Sequence, residues 1–214
     1  MQPLPQIVAS ASPRVFHYSL DWRFLLPVAD LNKGCFLFEE DIDFSQTLEH
    51  VGIHTSQQLS FSDFKSRNSN RFPFLAMPFG LPIGWVGAQN ADRVEFYSSI
   101  RRFIELGGYL LVGFNNSLNW RAHHGAKYHS STPQRATNEL IQAGFKSVEI
   151  FGAMPDLQIP EYIFELDPRT LRFALQNRFR RKPAALRVLH VLSGILGWKS
   201  LSYFLPCYFA VATA

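Results

Sequence analysis

Four carboxylates crowd into one short stretch. Glu39, Glu40, Asp41 and Asp43 directly follow the apolar run Cys35-Phe36-Leu37-Phe38. Clustered carboxylates are raw material for acid–base chemistry or a hard cation. A metal cluster would want a neighbouring histidine, and none is adjacent. A solvated strand end running into a helix N-terminus, where negative charge suits the helix dipole, explains the acids better. A second cluster is His123, His124 and His129. Histidines so close together can hold a metal or move protons. Their spacing is not a helical i, i+4 pair and no cysteine or acid joins them, so solvent-exposed rings are the favoured reading and no metal is assigned. Asn115 and Asn116 are hydrogen-bonding candidates for a ligand, or turn residues. Met77-Pro78-Phe79-Gly80-Leu81-Pro82-Ile83-Gly84-Trp85 is an apolar loop. Its Phe79 and Trp85 suit a hydrophobic small molecule or a protein partner, or else pack on the core. Arg178, Arg180, Arg181 and Lys182 sit in an acid-free stretch from Arg169 to Arg187. That stretch is a basic surface for phosphates, nucleic acid or an anionic membrane, or a solvated helix face. Nucleophile elbow, Walker loop, CxxC and HExxH patterns are all missing from the sequence.

Something must position these groups, and the composition allows it. At 214 residues the chain is sized for one domain. Hydrophobic residues make up 47% and charged residues 18%, a balance that folds rather than staying disordered. The 20 phenylalanines allow a large apolar core or pocket. Cys35 and Cys207 each lie inside an apolar run and read as buried thiols in a reducing compartment. No basic segment followed by an apolar core opens the chain, so a cytoplasmic protein is expected. The uncharged runs 188–198 and 200–214 are shorter than the ~20 residues a bilayer span needs. They leave room for a surface peripheral to a membrane.

Residues 1–13 read as a flexible, proline-punctuated lead-in, and 14–214 as one domain with a helical insertion at about 167–199. Gly34 to Phe38 is a first strand, followed by a short helix closed by Gly52. Gly52-Ile53-His54-Thr55 is a second strand and "QLSFSDF" a third. "FPFLAMPFGLP" is a fourth, running into a proline- and glycine-rich loop. "ADRVEFYSSIRRFIELGG" has apolar residues at helical spacing, and Gly107-Gly108 ends it. "YLLVGF" is a strand of the continuous apolar kind found in parallel sheets. Thr132 and Pro133 start a helix that Gly144 ends. "FKSVEIFG" is a strand, "AMPDLQIPEYIFEL" an extended connection, then two helices and a closing strand in "LPCYFAVATA". Alternating strands and helices of this kind build an α/β sheet with helices on its faces.

From Phe72 onward the chain resembles the second half of a class I S-adenosylmethionine-dependent methyltransferase. The resemblance rests on "FPFLAMPFGLP", "EFYSSIRRFIELGGYLLVGFNN", "STPQRATNELIQAGFKSVEIFGAMPD" and "LPCYFAVATA", with "DWRFLLP" ahead of the first strand. It covers about two-thirds of the chain and is carried by hydrophobicity and turns. It implies a Rossmann-like, mostly parallel seven-stranded sheet with an antiparallel C-terminal strand and helices on both faces. It also implies where S-adenosylmethionine would touch: Phe38 and Glu39 after the first strand, His54 after the second, Asp63 after the third and Met77 after the fourth. In that family the first strand ends in an acid and a glycine-rich turn, the second in an acid that holds the ribose. Here Glu39-Glu40-Asp41-Ile42-Asp43 replace the glycines, and the second strand has no acid.

These departures shape the functional expectation. Glycines let backbone N–H groups approach the cofactor, and carboxylates repel its methionine carboxylate. No cofactor is therefore expected, S-adenosylmethionine being the one to test if the protein is active. The preferred reading is a pseudoenzyme: a methyltransferase-like binding or accessory subunit in a biosynthetic or modification pathway. An active methyltransferase on a hydrophobic acceptor is the alternative, since positioning and desolvation alone can drive methyl transfer. A peripheral membrane or nucleic-acid binder using the basic helix is a third, with nucleic acid disfavoured.

Overall fold

The computed structural model describes residues 21–38, 48–49, 53, 57–60, 71–86, 89–118, 128–158 and 160–214. The lead-in 1–13, Glu39, Glu40, Asp41, Asp43, His54, Thr55, Asp63, His123 and His124 lie outside them. The strands are β1 (Cys35–Phe38), β2 (Gln57–Ser60), β3 (Phe72–Met77), β4 (Ile104–Asn116), β5 (Ser130–Ser131), β6 (Ser147–Met154), β7 (Tyr162–Glu165) and β8 (Cys207–Thr213). The helices are α1 (Asn90–Arg101), α2 (Pro133–Gln142), α3 (Pro168–Phe179) and α4 (Pro183–Leu201). Among the described residues seven strands run in the order β2-β1-β3-β4-β8-β6-β7, and β5 pairs with β4 off this path. β2, β1, β3 and β4 are mutually parallel. β8 is antiparallel to both β4 and β6, and β7 is antiparallel to β6. This is a Rossmann-like sheet, mostly parallel, with an antiparallel C-terminal end.

Side chains along β3 and β4 alternate between two cores. Leu75, Met77, Leu110, Val112 and Phe114 face one, where α1 to α4 supply Phe96, Ile100, Leu140, Leu171 and Leu189. Phe74, Ala76 and Leu111 face the other, covered by Trp22, Leu26, Leu48 and Ile53. Burial on both faces explains why "YLLVGF" is apolar without a break. Phe36 and Phe74 meet edge to face at 5.5 Å, and Trp22 tilts over Phe36 at 6.0 Å. The turn glycine Gly34 is a packing glycine. A Cβ there would sit 1.9 Å from Cζ of Phe74.

Capping fixes the helices much as the sequence implies. The Thr132 hydroxyl accepts from the Arg135 N–H at 3.2 Å, Pro133 takes the first turn of α2, and Gly144 has φ +95 just beyond its C-terminus. Asp167 caps α3, accepting from the N–H groups of Arg169 and Thr170. The Thr170 hydroxyl donates to it as well, and these bonds hold its carboxyl below the usual range.

Three elements differ from expectation. The strand paired with β1 on its outer side is Gln57–Ser60; of the expected second strand Gly52–Thr55 only Ile53 is described, and it is non-strand, its N–H donating to Leu48 at 2.9 Å. α1 ends at Arg101, because Ile104 pairs with Phe72 and begins β4. Gly107, at φ +79, takes up the register shift between that pair and Phe74–Tyr109. Phe103 and Ile104 satisfy the helical spacing equally well, and sheet pairing decides. Tyr162–Glu165 inside the expected connection is β7, held by pairing with β6.

One buried charge pair joins α1 to α2. Arg93 donates from Nη2 and Nε to Glu139 Oε1 at 2.7 and 3.0 Å, and Arg135 Nε adds a third bond at 2.9 Å. Arg93 and Glu139 are both buried. Burial, then the Glu139 charge, pushes the Tyr97 phenol well above its ordinary range. The thiols are equally enclosed. Cys207 donates to the Ala153 carbonyl at 3.2 Å, and burial raises it strongly.

Two outcomes follow from this packing. Glu139→Gln strands the buried Arg93 charge and should cost about 3 kcal/mol in urea unfolding, while Arg93→Met with Glu139→Leu should recover most of it. Neither thiol should react with a disulfide reagent until the chain unfolds. Cys207, Tyr97 and Tyr208 are raised in the folded state. Their contribution is therefore full at neutral pH, and the urea midpoint should fall as pH climbs past about 8.5 to 10, where the unfolded groups ionise.

Candidate functional site

Parallel strands carry their carboxyl ends to one edge of the sheet. Here that edge gathers Phe38, Ser60, Met77 and Asn116, the last residues of β1 to β4. The chain steps from β1 outward to β2, then returns to the other side of β1 as β3. The gap between β1 and β3 is thus a topological switch point, the place where open α/β sheets take ligands.

The loop after β3 closes down on this edge. Gly80 N–H donates to Met77 at 3.2 Å and Trp85 N–H to Pro82 at 3.1 Å. Residues 128–129 return to seal it. Tyr128 bridges Pro82, the His129 N–H donates to Leu81 at 2.8 Å, and a His129 ring nitrogen lies 3.1 Å from the Val86 carbonyl. Beneath it, Gly113 of β4 has no room for a side chain, since a Cβ would meet the Pro78 carbonyl oxygen at 2.1 Å. The histidine at 129 is therefore a loop fastener.

The two aromatics expected to share a cleft are not brought together. Phe79 is 4% exposed and belongs to the Trp22–Phe36–Phe74 core, whereas Trp85 packs half-buried against the core of the opposite face. Met77 is fully buried. The Pro and Gly kinks of the loop send successive apolar residues to both sides of the sheet, so its outward surface is Ile83 and Gly84.

Asn116 has a structural role instead of a ligand-facing one. Its Nδ2 donates to the carbonyls of Tyr203 and Leu205 at 2.6 and 2.7 Å and lies 3.2 Å from the Tyr208 hydroxyl. Its Oδ1 accepts the Leu118 N–H at 3.0 Å. Asn115 is half-buried beside it, paired with Ser130 on one side and Cys207 on the other. The amide of Asn116 ties the end of β4 to the turn that enters β8.

Of the basic group, Arg178 pairs with Glu161, just ahead of β7. Arg180, Arg181 and Lys182 are exposed in the turn between α3 and α4. Among the described residues, no three His, Cys, Asp or Glu side chains gather as a metal site. Asp63, expected after a third strand, lies outside the described residues, three positions beyond β2 in the sequence.

No protein-family model matches the chain, and no curated protein matches it by sequence. Solved structures do match it. A SAM-dependent methyltransferase from Archaeoglobus fulgidus superposes with a TM-score of 0.51 at 12% identity, over 90% of this chain and 91% of that one. One from Mesorhizobium loti gives 0.46 at 11% identity, over 84% and 79%. At such identities the likeness is one of fold. The strand order, the switch point beside β1 and the Archaeoglobus superposition together make this a class I methyltransferase-type fold.

Proposed function

We propose that this is a methyltransferase-like protein that has lost ordinary S-adenosylmethionine binding and works as a binding or accessory subunit in a biosynthetic or modification pathway. One observation carries the reading. β1 has parallel partners on both sides at the switch point, and the chain continues from it as Glu39-Glu40-Asp41-Ile42-Asp43, with no glycine before Gly52. A cofactor lying there would need N–H donors around its methionine carboxylate. Like charges about 4 Å apart repel by about 4 kcal/mol at the effective dielectric of a protein surface. Two such contacts offset the binding energy of a micromolar ligand.

The fit to the cofactor is uneven. Asp63 follows β2, where the family resemblance implies a ribose-holding acid, and in that place the chain suits S-adenosylmethionine. The carboxyl end of β4 offers less, because the Asn116 amide is already donated to backbone carbonyls. The misfit after β1 weighs more, since it involves charge against charge.

Calorimetry with S-adenosylmethionine and its demethylated product is the test. The expected outcome is no binding tighter than about 1 mM. Micromolar binding that Asp63→Ala weakens at least about tenfold would overturn the proposal and leave an active methyltransferase on a hydrophobic acceptor.

A further inference from the structure

The hairpin α3–α4 between β7 and β8 carries features that the fold does not require. α4 has two apolar faces. Leu186, Leu189 and Leu201 turn inward, with Trp198 packed beside them. Val188, Val191, Leu192, Ile195 and Leu196 recur at i, i+3, i+4, i+7 and i+8 and all face out, Ile195 with 74% of its surface exposed and Val191 with 61%. Such a stripe on a surface helix normally faces a core or a partner. Gly197, at φ +76, breaks the helix below the stripe and turns Trp198 and Leu201 onto the core. Phe173 of α3 and Phe204 after α4 are also exposed.

From Arg169 to the last residue the sequence carries charge of one sign. Of the chain's 21 lysines and arginines, eight lie in 169–214, where none of its 17 acids does. The formal +4 of the protein is therefore a +8 C-terminal segment set against −4 elsewhere. Arg180, Arg181 and Lys182 stand immediately before α4, and its first turn has no acid. At the N-terminus of α4 these cations oppose its macrodipole, while at the C-terminus of α3, where Arg180 is the cap residue, they complement it. Arg187 and Lys199 flank the apolar stripe and are exposed.

We propose that the outer face of α4, with the Arg180-Arg181-Lys182 turn, docks this protein on an anionic lipid surface. An apolar stripe bordered by lysine and arginine is the chemistry of a helix lying in the plane of a bilayer interface. Among the described residues no helix is long and apolar enough to cross a membrane, which fits lying on the surface. A second copy of the chain would set cation against cation across a two-fold axis. A nucleic acid would leave the valine, leucine and isoleucine stripe uncovered. The docking is independent of whether S-adenosylmethionine binds.

Flotation of the full chain with vesicles tests this. The protein should float with phosphatidylcholine vesicles containing about one-third phosphatidylglycerol, less at high salt, and not with phosphatidylcholine alone. Val191→Asp with Ile195→Asp should cut partition at least about tenfold, as should Arg180→Glu with Arg181→Glu and Lys182→Glu. All five side chains are exposed, so the urea midpoint should hold. Absence of flotation with the mixed vesicles, or both variants floating like the parent, would overturn the proposal. So would a concentration-dependent dimer that Ile195→Asp dissociates, or RNA binding without vesicle binding.

Discussion

β4 is hydrogen-bonded along both edges, to β3 running the same way and to β8 running the opposite way. That double pairing joins the parallel half of the sheet to the antiparallel half, and the rest of the molecule hangs from it. It demands a strand with no solvent face, which Leu110-Leu111-Val112 supplies with all three side chains buried. It also demands an end that can leave the sheet without orphaning backbone groups. Asn116 provides it, its N–H donating to Pro206 at 2.9 Å while its side-chain amide caps the carbonyls of the turn into β8. Gly113 matters for the same reason, because the chain leaving β3 crosses over it in van der Waals contact.

Most of this was legible in the sequence where one signal acted alone. The unbroken apolar run of β4, the Thr132-Pro133 start and Gly144 end of α2, and the closing strand from Cys207 all follow from local chemistry. The failures come where two signals were equivalent locally. Phe103 and Ile104 extend the stripe of α1 as well as they open β4, and only the pairing of Ile104 with Phe72 separates the two. Tyr162–Glu165 lies between prolines and becomes β7 because β6 offers it an edge. Arg93 reads as a surface charge on an amphipathic helix. It is buried because Glu139 comes from another helix to meet it, a pairing set by tertiary structure.

The candidate site was legible in outline and not in detail. Chain order places the loops after β1, β3 and β4 at one edge, and the sheet has that form. Which side chains face a ligand there depends on how each loop closes. Phe79 and Trp85 are six residues apart and share a loop, yet Pro78, Gly80 and Pro82 turn the chain so that they join opposite cores. Residue type alone did not separate an aromatic that lines a cleft from one that fills a core.

The inserted hairpin is where packing and surface chemistry part company. Its inner residues Leu171, Ala174, Leu175 and Leu189 complete the core that α1 and α2 begin, so folding accounts for them. Its outer stripe makes no such contribution. Exposed aliphatic side chains at helical spacing gain nothing from the hydrophobic effect while they face water. Both ends of α4 are fastened near the carboxyl edge of the sheet, by Arg178 just before it to Glu161 ahead of β7 and by Tyr203 and Leu205 just after it to Asn116 at the end of β4. A surface that covers the stripe would therefore also fix the orientation of that edge. The switch point and whatever approaches it would then be presented at a set angle to the same surface.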